Sequence, residues 1–374
     1  MRLISNLVAI LIFLLGVITF LLEEPLFAGG IILLGTPLFT PTAKLWVKAL
    51  PQRKGLRLIV FAFLGLALLV SVSSFGRKTY WEEEPRERAV IDALSQHPIH
   101  SAQLTNGLTY WFFEKGEGPA VILLHGFPDL ASTWDETIAE LSKTHRVIAP
   151  FLRGYYPTSI PENDDYYVKS VAEDIVALAQ VLGVQEYSLI GQDWGASVAY
   201  CAANLAPEQV QKVVAVAIPH PSCLMPTPEL LFAGRHFFIL GSGEYGVRYA
   251  RKSGFEYIER LYQRWSPDYV DFTESSEPII ETFKYPLRLS AALGYYRSFA
   301  SETEENSAFY NRIPQIPIYF MAGEHDDIAQ PEIVKLMEEK MPEGSKTQVF
   351  ENSGHFLHHE IFPEFIREVK EFID

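Results

Sequence analysis

The fold prediction starts from residues 187–197, which read Tyr-Ser-Leu-Ile-Gly-Gln-Asp-Trp-Gly-Ala-Ser. A short run of strand-forming residues leads into Gly-x-Asp-x-Gly, and a helix-forming stretch follows. Glycines two positions before and after Asp193 allow a turn sharp enough to present that side chain at the edge of a sheet. A carboxylate held there can attack an sp³ carbon and form an ester on the enzyme. By itself the motif fits equally well an aspartate that caps the following helix.

A second motif lies at residues 123–129, Leu-Leu-His-Gly-Phe-Pro-Asp, directly after another strand-like run. A loop of this kind can direct a backbone N–H towards a developing oxyanion. We therefore assign the two donors of an oxyanion hole to the amides of Phe127 and Trp194. For Asp129 we expect only the capping of a following helix, because a helical stretch comes next.

The third motif supplies a base and an acid. Residues 350–360, Phe-Glu-Asn-Ser-Gly-His-Phe-Leu-His-His-Glu, place His355 just after the last strand-like run. Residues 321–327, Met-Ala-Gly-Glu-His-Asp-Asp, end the preceding run with Asp326, which would orient the histidine, and with Asp327 as an assisting carboxylate. Nucleophile, acid and histidine then follow in the chain order expected of an α/β-hydrolase.

The rest of the pattern from residue 108 predicts an α/β fold with a mostly parallel sheet and helices on both faces. Short apolar runs, typical of buried strands, alternate with stretches of helical periodicity. The strand candidates are 108–113, 120–124, 146–150, 187–191, 212–218, 316–322 and 347–351, and the clearest helices are 168–182, 331–341 and 363–373. The alternation stops at 222–312, an aromatic and charged stretch that predicts a helical cap over the carboxyl edge of the sheet.

Taken together, residues 108–374 resemble the epoxide hydrolase and haloalkane dehalogenase branch of the α/β-hydrolase superfamily. The resemblance rests on Gly-Gln-Asp-Trp-Gly, on His-Gly-Phe-Pro and on Gly-Tyr-Tyr-Arg at residues 294–297. It implies that Tyr296 protonates an epoxide oxygen from the cap and that neither a cofactor nor a metal is needed. The relatives usually carry Asn in place of Gly294, and a second cap tyrosine where this chain has Arg-His-Phe-Phe at 235–238. His236 either assists Tyr296 there or is a packing residue.

Two other functions remain open at this point. A haloalkane dehalogenase would use the same Asp193 and His355 and would bind halide through the Trp194 indole, but relatives with that activity usually have Asn where this chain has Phe127. A dehalogenase of the fluoroacetate type shares His-Gly-Phe-Pro but places Arg after its nucleophile. A non-catalytic binding protein on the same fold is the third reading, since one fold hosts many functions.

The charge of the chain is divided unevenly. The 374 residues have a net charge of −15, yet residues 1–78 hold 8 Lys and Arg against 2 Asp and Glu, which leaves 23 against 44 for residues 79–374. The acidic part argues against nucleic-acid binding, which needs a basic surface. Two cysteines cannot form a disulfide framework.

The basic segment contains uncharged runs at residues 3–22 and 58–76, each long enough for a membrane span. A cleaved signal peptide is the alternative for the first run, but no small-residue cleavage site follows it. The uncharged stretch 25–43 is broken by Pro and Gly and is a third span, a re-entrant segment or an interfacial stretch. With three spans, the positive-inside rule places the catalytic domain on the non-cytoplasmic side of a multi-pass membrane protein.

The sequence therefore predicts five segments: a bilayer anchor of two or three transmembrane helices at 1–78, a linker at 79–107, a hydrolase core at 108–221, a cap at 222–312 and the rest of the core at 313–374. The aromatic cap and the anchor together suggest a small, apolar, lipid-derived substrate.

Overall fold

The computed structural model describes residues 97–224, 227–301 and 303–374, apart from the side chains of residues 273–275. The predicted membrane spans, the stretch 25–43 and most of the predicted linker lie outside the described residues. Among the helices of the described ranges, none combines the length and the apolar character that a membrane crossing requires.

The described residues form an eight-stranded sheet in the order β1-β2-β4-β3-β5-β6-β7-β8. Strands β3 to β8 pair in parallel, whereas β1 and β2 are antiparallel additions at one edge. The strands are β1 Ile99–Gln103, β2 Thr109–Lys115, β3 Ala120–Leu124, β4 Arg146–Pro150, β5 Tyr187–Gln192, β6 Val210–Val216, β7 Ile318–Gly323 and β8 Lys346–Phe350. Strand β5 lies in the interior of the sheet, and all six of its residues are buried. Its sequence is that of a strand covered on both faces.

Strand β1 lies within residues 79–107, which the sequence predicts to be a linker. Its residues alternate between exposed and half-buried positions, and none is fully buried. An edge strand of this kind carries no apolar run, and so hydrophobic periodicity does not reveal it. It is held instead by antiparallel pairing with β2, from Ile99 opposite Phe113 to Gln103 opposite Thr109.

Helices occupy the connections between the parallel strands. They are α1 Asp135–Leu141, α2 Val168–Val181, α3 Trp194–Leu205, α4 Pro228–Ala233, α5 His236–Leu240, α6 Glu244–Trp265, α7 Phe272–Phe283, α8 Pro286–Ala300, α9 Glu304–Asn311, α10 Pro331–Lys340, α11 Leu357–Glu360 and α12 Phe362–Ile373. Helix α6 is interrupted at residues 252–255, three of which have positive φ. Between β6 and β7 the described elements are all helical, and they span most of the stretch predicted as a cap.

A buried ion pair connects the core to the cap. Arg153 Nε donates to Asp174 Oδ2 over 2.6 Å, and the Tyr110 hydroxyl donates to the same oxygen at 2.6 Å. The Asp174 carboxylate is fully buried and Arg153 is almost so. The carbonyl of Arg153 in turn accepts a hydrogen bond from the Tyr295 hydroxyl at 3.1 Å. The pair therefore fixes the loop on which helix α8 rests.

We predict that Asp174→Asn lowers the free energy of unfolding by about 3–5 kcal/mol, because it leaves the buried Arg153 charge uncompensated. Urea denaturation of the purified protein measures this. Glu173→Gln is the matched control, since it removes an exposed i,i+4 pair with Lys169, which contributes about 0.5 kcal/mol or less. Equal losses for the two variants would contradict the role assigned to the buried pair.

Candidate active site

The turn between β5 and α3 holds Asp193 in a strained conformation, with φ 53° and ψ −120°. A Cβ atom on Gly191 would lie 2.2 Å from the Gly195 carbonyl oxygen, and one on Gly195 would lie 2.1 Å from the Leu124 carbonyl oxygen. Only glycine fits at either position, and this explains the spacing seen in the sequence. A non-glycine residue with positive φ persists only where its surroundings compel it, and such strain is common at functional sites.

The Asp193 side chain makes no capping hydrogen bond to α3, although the residue stands at the helix N-terminus. Its Oδ1 instead accepts a hydrogen bond from the Phe127 N–H at 2.8 Å. The neighbouring Gly126 permits this approach, because a Cβ atom there would lie 2.4 Å from Asp193 Cβ. The loop after β3 therefore supplies one donor where the sequence places the oxyanion hole, and the capping alternative for Asp193 does not apply.

His355 lies between two carboxylates. Its Nδ1 is 2.7 Å from Asp326 Oδ2, and its Nε2 is 3.6 Å from Asp193 Oδ2. The second oxygen of Asp326 accepts the Ile328 N–H, which fixes the carboxylate at the end of β7. Asp327 is exposed, and no hydrogen bond joins its side chain to His355 in the described part of the chain. The fold thus brings Asp193, His355 and Asp326 together and leaves Asp327 outside this group.

The electrostatics of the site favour a protonated His355. Burial alone would lower the pKa of His355, but the charges of Asp326 and Asp193 and their hydrogen bonds raise it to about 10. Asp193 carries part of that increase. Its conversion to a neutral ester would remove this contribution and lower the pKa of His355 towards the range of a general base.

Helix α8 carries Tyr296, whose side chain packs against two residues that flank Asp193. Its ring packs edge-on against Phe127 and Trp194, with centroid distances of 5.3 and 5.2 Å. The preceding Tyr295 is anchored to the core through Arg153, so adjacent tyrosines hold and line the site. Gly294, where the relatives usually have Asn, is required here because a Cβ atom would lie 2.2 Å from the Tyr166 ring.

The surroundings of Tyr296 keep its hydroxyl protonated. Burial raises its pKa well above 10, and the negative charge of Asp193 raises it further. The Trp194 indole opposes this increase, although its N–H is not aligned for a hydrogen bond with any described residue. A phenol that stays protonated can donate a proton to a bound group.

Comparison with known proteins agrees with this geometry. Residues 119–360, well over half of the chain, match the family model described as the alpha/beta hydrolase fold. The chain belongs to this family. The α/β-hydrolase fold with a mostly parallel sheet, as predicted from the sequence, is therefore confirmed, and the chain is a hydrolase.

This α/β hydrolase is similar to named relatives over about two thirds of its length. It is 28% identical over 264 residues to the AB hydrolase superfamily protein YfhM of Bacillus subtilis, covering 68% of this chain and 91% of that one. It is 24% identical over 264 residues to Epoxide hydrolase 4 of Mus musculus, covering 67% and 72%. The solved structure of an epoxide hydrolase from Vigna radiata superposes with a TM-score of 0.66 at 24% identity, over 75% of this chain and 99% of that one.

Two residues that position His355 in this hydrolase were not predicted. Glu360 accepts hydrogen bonds from the backbone N–H groups of Gly354 and Phe356, both at 2.9 Å. Its carboxylate also accepts the Ser266 hydroxyl at 2.7 Å, while the Ser266 oxygen lies 2.8 Å from the His355 N–H. Ser266 follows helix α6, so this network connects the cap to the histidine loop. Its only sequence signal is an acidic residue five positions after the histidine.

Asp129 does not cap a helix, contrary to prediction. Its Oδ1 accepts the adjacent Leu130 N–H, and its Oδ2 accepts the Thr133 hydroxyl at 2.7 Å. The same hydroxyl oxygen lies 2.7 Å from Nε2 of both His358 and His359. One donated and two accepted bonds satisfy a hydroxyl completely. The arrangement joins the oxyanion loop to the helix that follows His355.

Asp129, His358 and His359 are also a group that could in principle bind a metal, since one ligand atom from each lies within 4.8 Å of the others. The Thr133 hydroxyl, however, already contacts all three at hydrogen-bonding distance. Burial raises the pKa of Asp129 to about 7 and lowers that of His359 to about 4. A carboxyl that tends to be neutral beside neutral imidazoles fits a hydrogen-bonded cluster better than a cation site.

Proposed function

We propose that this hydrolase opens epoxides to diols through a covalent ester on Asp193. One geometric observation carries the proposal. Asp193 Oδ1 accepts the Phe127 N–H at 2.8 Å, while Oδ2 lies 3.6 Å from His355 Nε2. The two oxygens therefore have different surroundings. Oδ1 is already where an oxyanion would be stabilised, and Oδ2 is available to attack.

In the first step, Asp193 Oδ2 attacks an epoxide carbon and the carbon–oxygen bond of the ring breaks. The electron pair goes to the ring oxygen, which takes a proton from Tyr296. In the second step, His355 removes a proton from water, and the hydroxide attacks the carboxyl carbon of Asp193. The tetrahedral oxyanion that forms on Oδ1 is stabilised by the amides of Phe127 and Trp194. Collapse breaks the bond between the carboxyl carbon and the diol oxygen, which takes the proton held by His355, and a water oxygen stays on Asp193. The proton of the new Asp193 carboxyl is lost to solvent, and Tyr296 regains a proton from solvent.

The charge balance of the site supports this order of events. Before attack, the ionised Asp193 contributes to the pKa of about 10 that keeps His355 protonated. Once Asp193 is an ester, only Asp326 remains to favour the imidazolium, and burial opposes it. The base therefore becomes active when its substrate, the ester, is present. Asp326 then stabilises the imidazolium that forms again as water is deprotonated.

His236 is the second electrophile in this proposal. It takes the place where the relatives have a cap tyrosine, and its ring lies 5.8 Å from that of Tyr296 at a steep angle. Its ring also lies 5.0 Å from that of Trp265, which is itself 5.1 Å from the ring of His355. Tyr296 and His236 would share the developing charge on the epoxide oxygen.

A halide as leaving group is the competing chemistry. The Trp194 indole N–H is buried and has no hydrogen-bond partner among the described residues, and such a donor is able to bind a halide ion. Epoxide opening is preferred because Tyr296 supplies a proton, which an alkoxide needs and a halide does not.

We further propose that the substrate is apolar and lipid-derived. The site is surrounded by aromatic rings, with Phe237 packed at 4.9 Å from Tyr296 and Phe299 at 6.0 Å from Trp194. Such walls bind hydrocarbon and provide few polar contacts. The uncharged runs within the basic segment 1–78 would anchor the enzyme to a bilayer, from which such a substrate could enter.

Replacing His355 with Gln is expected to stop the second step and trap the ester, so that mass spectrometry of the intact protein shows an adduct with the mass of the epoxide. His325→Gln, at an exposed histidine paired with Asp268, is the control and should not accumulate the adduct. In addition, a single turnover of the unaltered enzyme in ¹⁸O-water should label the Asp193 carboxylate. Turnover without label would exclude the ester mechanism.

Tyr296→Phe is expected to slow ester formation from an epoxide by about 100-fold, the lower end of what a positioned proton donor contributes. Stopped-flow tryptophan fluorescence measures this step. Tyr295→Phe removes an anchoring hydrogen bond instead and should cost stability, about 1 kcal/mol, with a smaller loss of rate. A different result would identify a dehalogenase. In that case epoxides are inert, and chlorinated alkanes release chloride at the same rate in Tyr296→Phe as in the unaltered enzyme.

Residues 1–78 are expected to retain the full chain in the membrane fraction after alkaline carbonate washing, because two spans bury far more apolar surface than a peripheral contact. A chain that begins after residue 78 should be found in the supernatant. Release of the full chain by carbonate would contradict the membrane anchor.

A further inference from the structure

The imidazole of His236 has an unusual neighbour. Its Nδ1 atom lies 3.1 Å from the guanidinium Nη2 of Arg264 and 3.1 Å from the carbonyl oxygen of Ala233. The same Nη2 atom is 3.5 Å from that carbonyl oxygen. The three atoms form a small triangle at the start of α5 and the end of α6. Arg264 contributes a nitrogen that carries two N–H groups, and each of the other two atoms has a lone pair.

Hydrogen-bond chemistry decides the protonation state of this imidazole. Arg264 is an obligate donor, because a guanidinium has no acceptor and does not lose its proton in a protein. A proton on His236 Nδ1 would be fixed in the ring plane and could donate to the Ala233 carbonyl, but the Arg264 N–H that approaches Nδ1 would then have no acceptor there. An unprotonated Nδ1 instead accepts one N–H of Arg264 while the Ala233 carbonyl accepts the other. In a neutral ring the single proton then resides on Nε2.

We propose that Arg264 is a positioning residue, which holds His236 as the neutral tautomer with its proton on Nε2, so that His236 donates to the epoxide oxygen together with Tyr296. This proposal rests on the proposed function and deepens it. Nε2 makes no hydrogen bond to a described residue, and it is the only ring atom that remains to act as a donor. Without Arg264, the Ala233 carbonyl would favour a proton on Nδ1, and Nε2 would become an acceptor.

The charges around His236 favour a neutral ring. Its pKa is well below 6.5, first because of burial and next because of Arg264, while the Ala233 carbonyl opposes the shift. His355 and Arg235 add smaller decreases. The other contacts of the ring are aromatic, with Trp265, Phe237 and Tyr296.

Arg264 is free to serve this purpose. No Asp or Glu among the described residues forms an ion pair with it, and its guanidinium instead stacks at 5.6 Å over the Trp265 ring. Its Nε–H is buried and makes no hydrogen bond with any described residue. A carboxylate partner would fix the guanidinium in another geometry and neutralise its effect on the imidazole. Its contact with His236 at 3.1 Å is shorter than its contact with the Ala233 carbonyl at 3.5 Å, as expected if this residue orients the histidine.

The tautomer itself can be observed by NMR of the full-length protein in detergent, labelled with ¹⁵N-histidine. In the unaltered protein, His236 should show a protonated Nε2 between pH 6 and pH 8. In Arg264→Met it should change to a protonated Nδ1, bonded to Ala233, and its pKa should rise above that of the unaltered protein, because one of the two main causes of the low pKa is removed while burial remains. An unchanged Nε2–H tautomer in Arg264→Met would overturn the proposal.

The consequence for catalysis is measured as the rate of ester formation in single turnover. At pH 8, Arg264→Met should be slower by about 100-fold, as expected for the loss of a positioned donor. In Arg264→Met, lowering the pH should restore rate at those pH values where NMR shows His236 doubly protonated, because the imidazolium again carries a proton on Nε2. Arg264→Lys should retain most of the rate at pH 8 and at the lower pH values, since an ammonium is also an obligate donor.

Two further variants separate positioning from simple damage. Arg260→Met removes an exposed arginine of the same helix, paired with Glu256 at 3.7 Å, and should leave the rate unchanged. In a His236→Phe background, Arg264→Met should cause no additional loss, because the histidine on which it acts is absent. An equal 100-fold loss in that background would overturn the proposal. An unaltered protein that opens no epoxide would instead overturn the proposed function and the donor role of His236, while the NMR comparison would still decide the effect of Arg264.

Discussion

The hydrogen bond from the Phe127 N–H to Asp193 Oδ1 is the interaction on which the site depends. It makes the two carboxylate oxygens different, one held by the protein and one directed to His355. It requires that two loops from adjacent parallel strands, β3 and β5, meet within atomic contact. Glycine at 126, 191 and 195 is the condition for that meeting, since any side chain there would collide with backbone or with Asp193 itself. The strained φ of Asp193 is the local cost of the arrangement.

The charges of the site form a second constraint. Two carboxylates flank a buried histidine and raise its pKa to about 10. In such a setting neither Asp193 nor His355 acts alone, because chemistry at the first changes the basicity of the second. The cap differs from the core in the charge state of its titratable groups. Burial raises the pKa of Tyr296 and lowers that of His236, so both side chains stay uncharged.

The sequence predicted the core well because its signals are local. The central parallel strands are short apolar runs, and the strand-turn-helix at 187–197 needs two glycines whatever surrounds it. The edge strand β1 was missed because its residues are exposed or half-buried, so they carry no hydrophobic pattern. Asp129 was misread for a similar reason. Its local pattern is that of a helix cap, whereas its real partner Thr133 also contacts two histidines more than 220 residues away in the chain.

Order along the chain thus determined the fold class, the nucleophile turn and the candidates for acid and base, since these depend on residue type and short spacing. The tertiary structure alone decided which candidates meet. It selected Asp326 over Asp327, joined Ser266 to Glu360 behind His355, and placed Arg264 against His236 across 28 residues. It also explained Gly294, whose space is taken by the Tyr166 ring. Contacts of this kind arise from packing between distant elements, and no periodicity or motif within one segment encodes them.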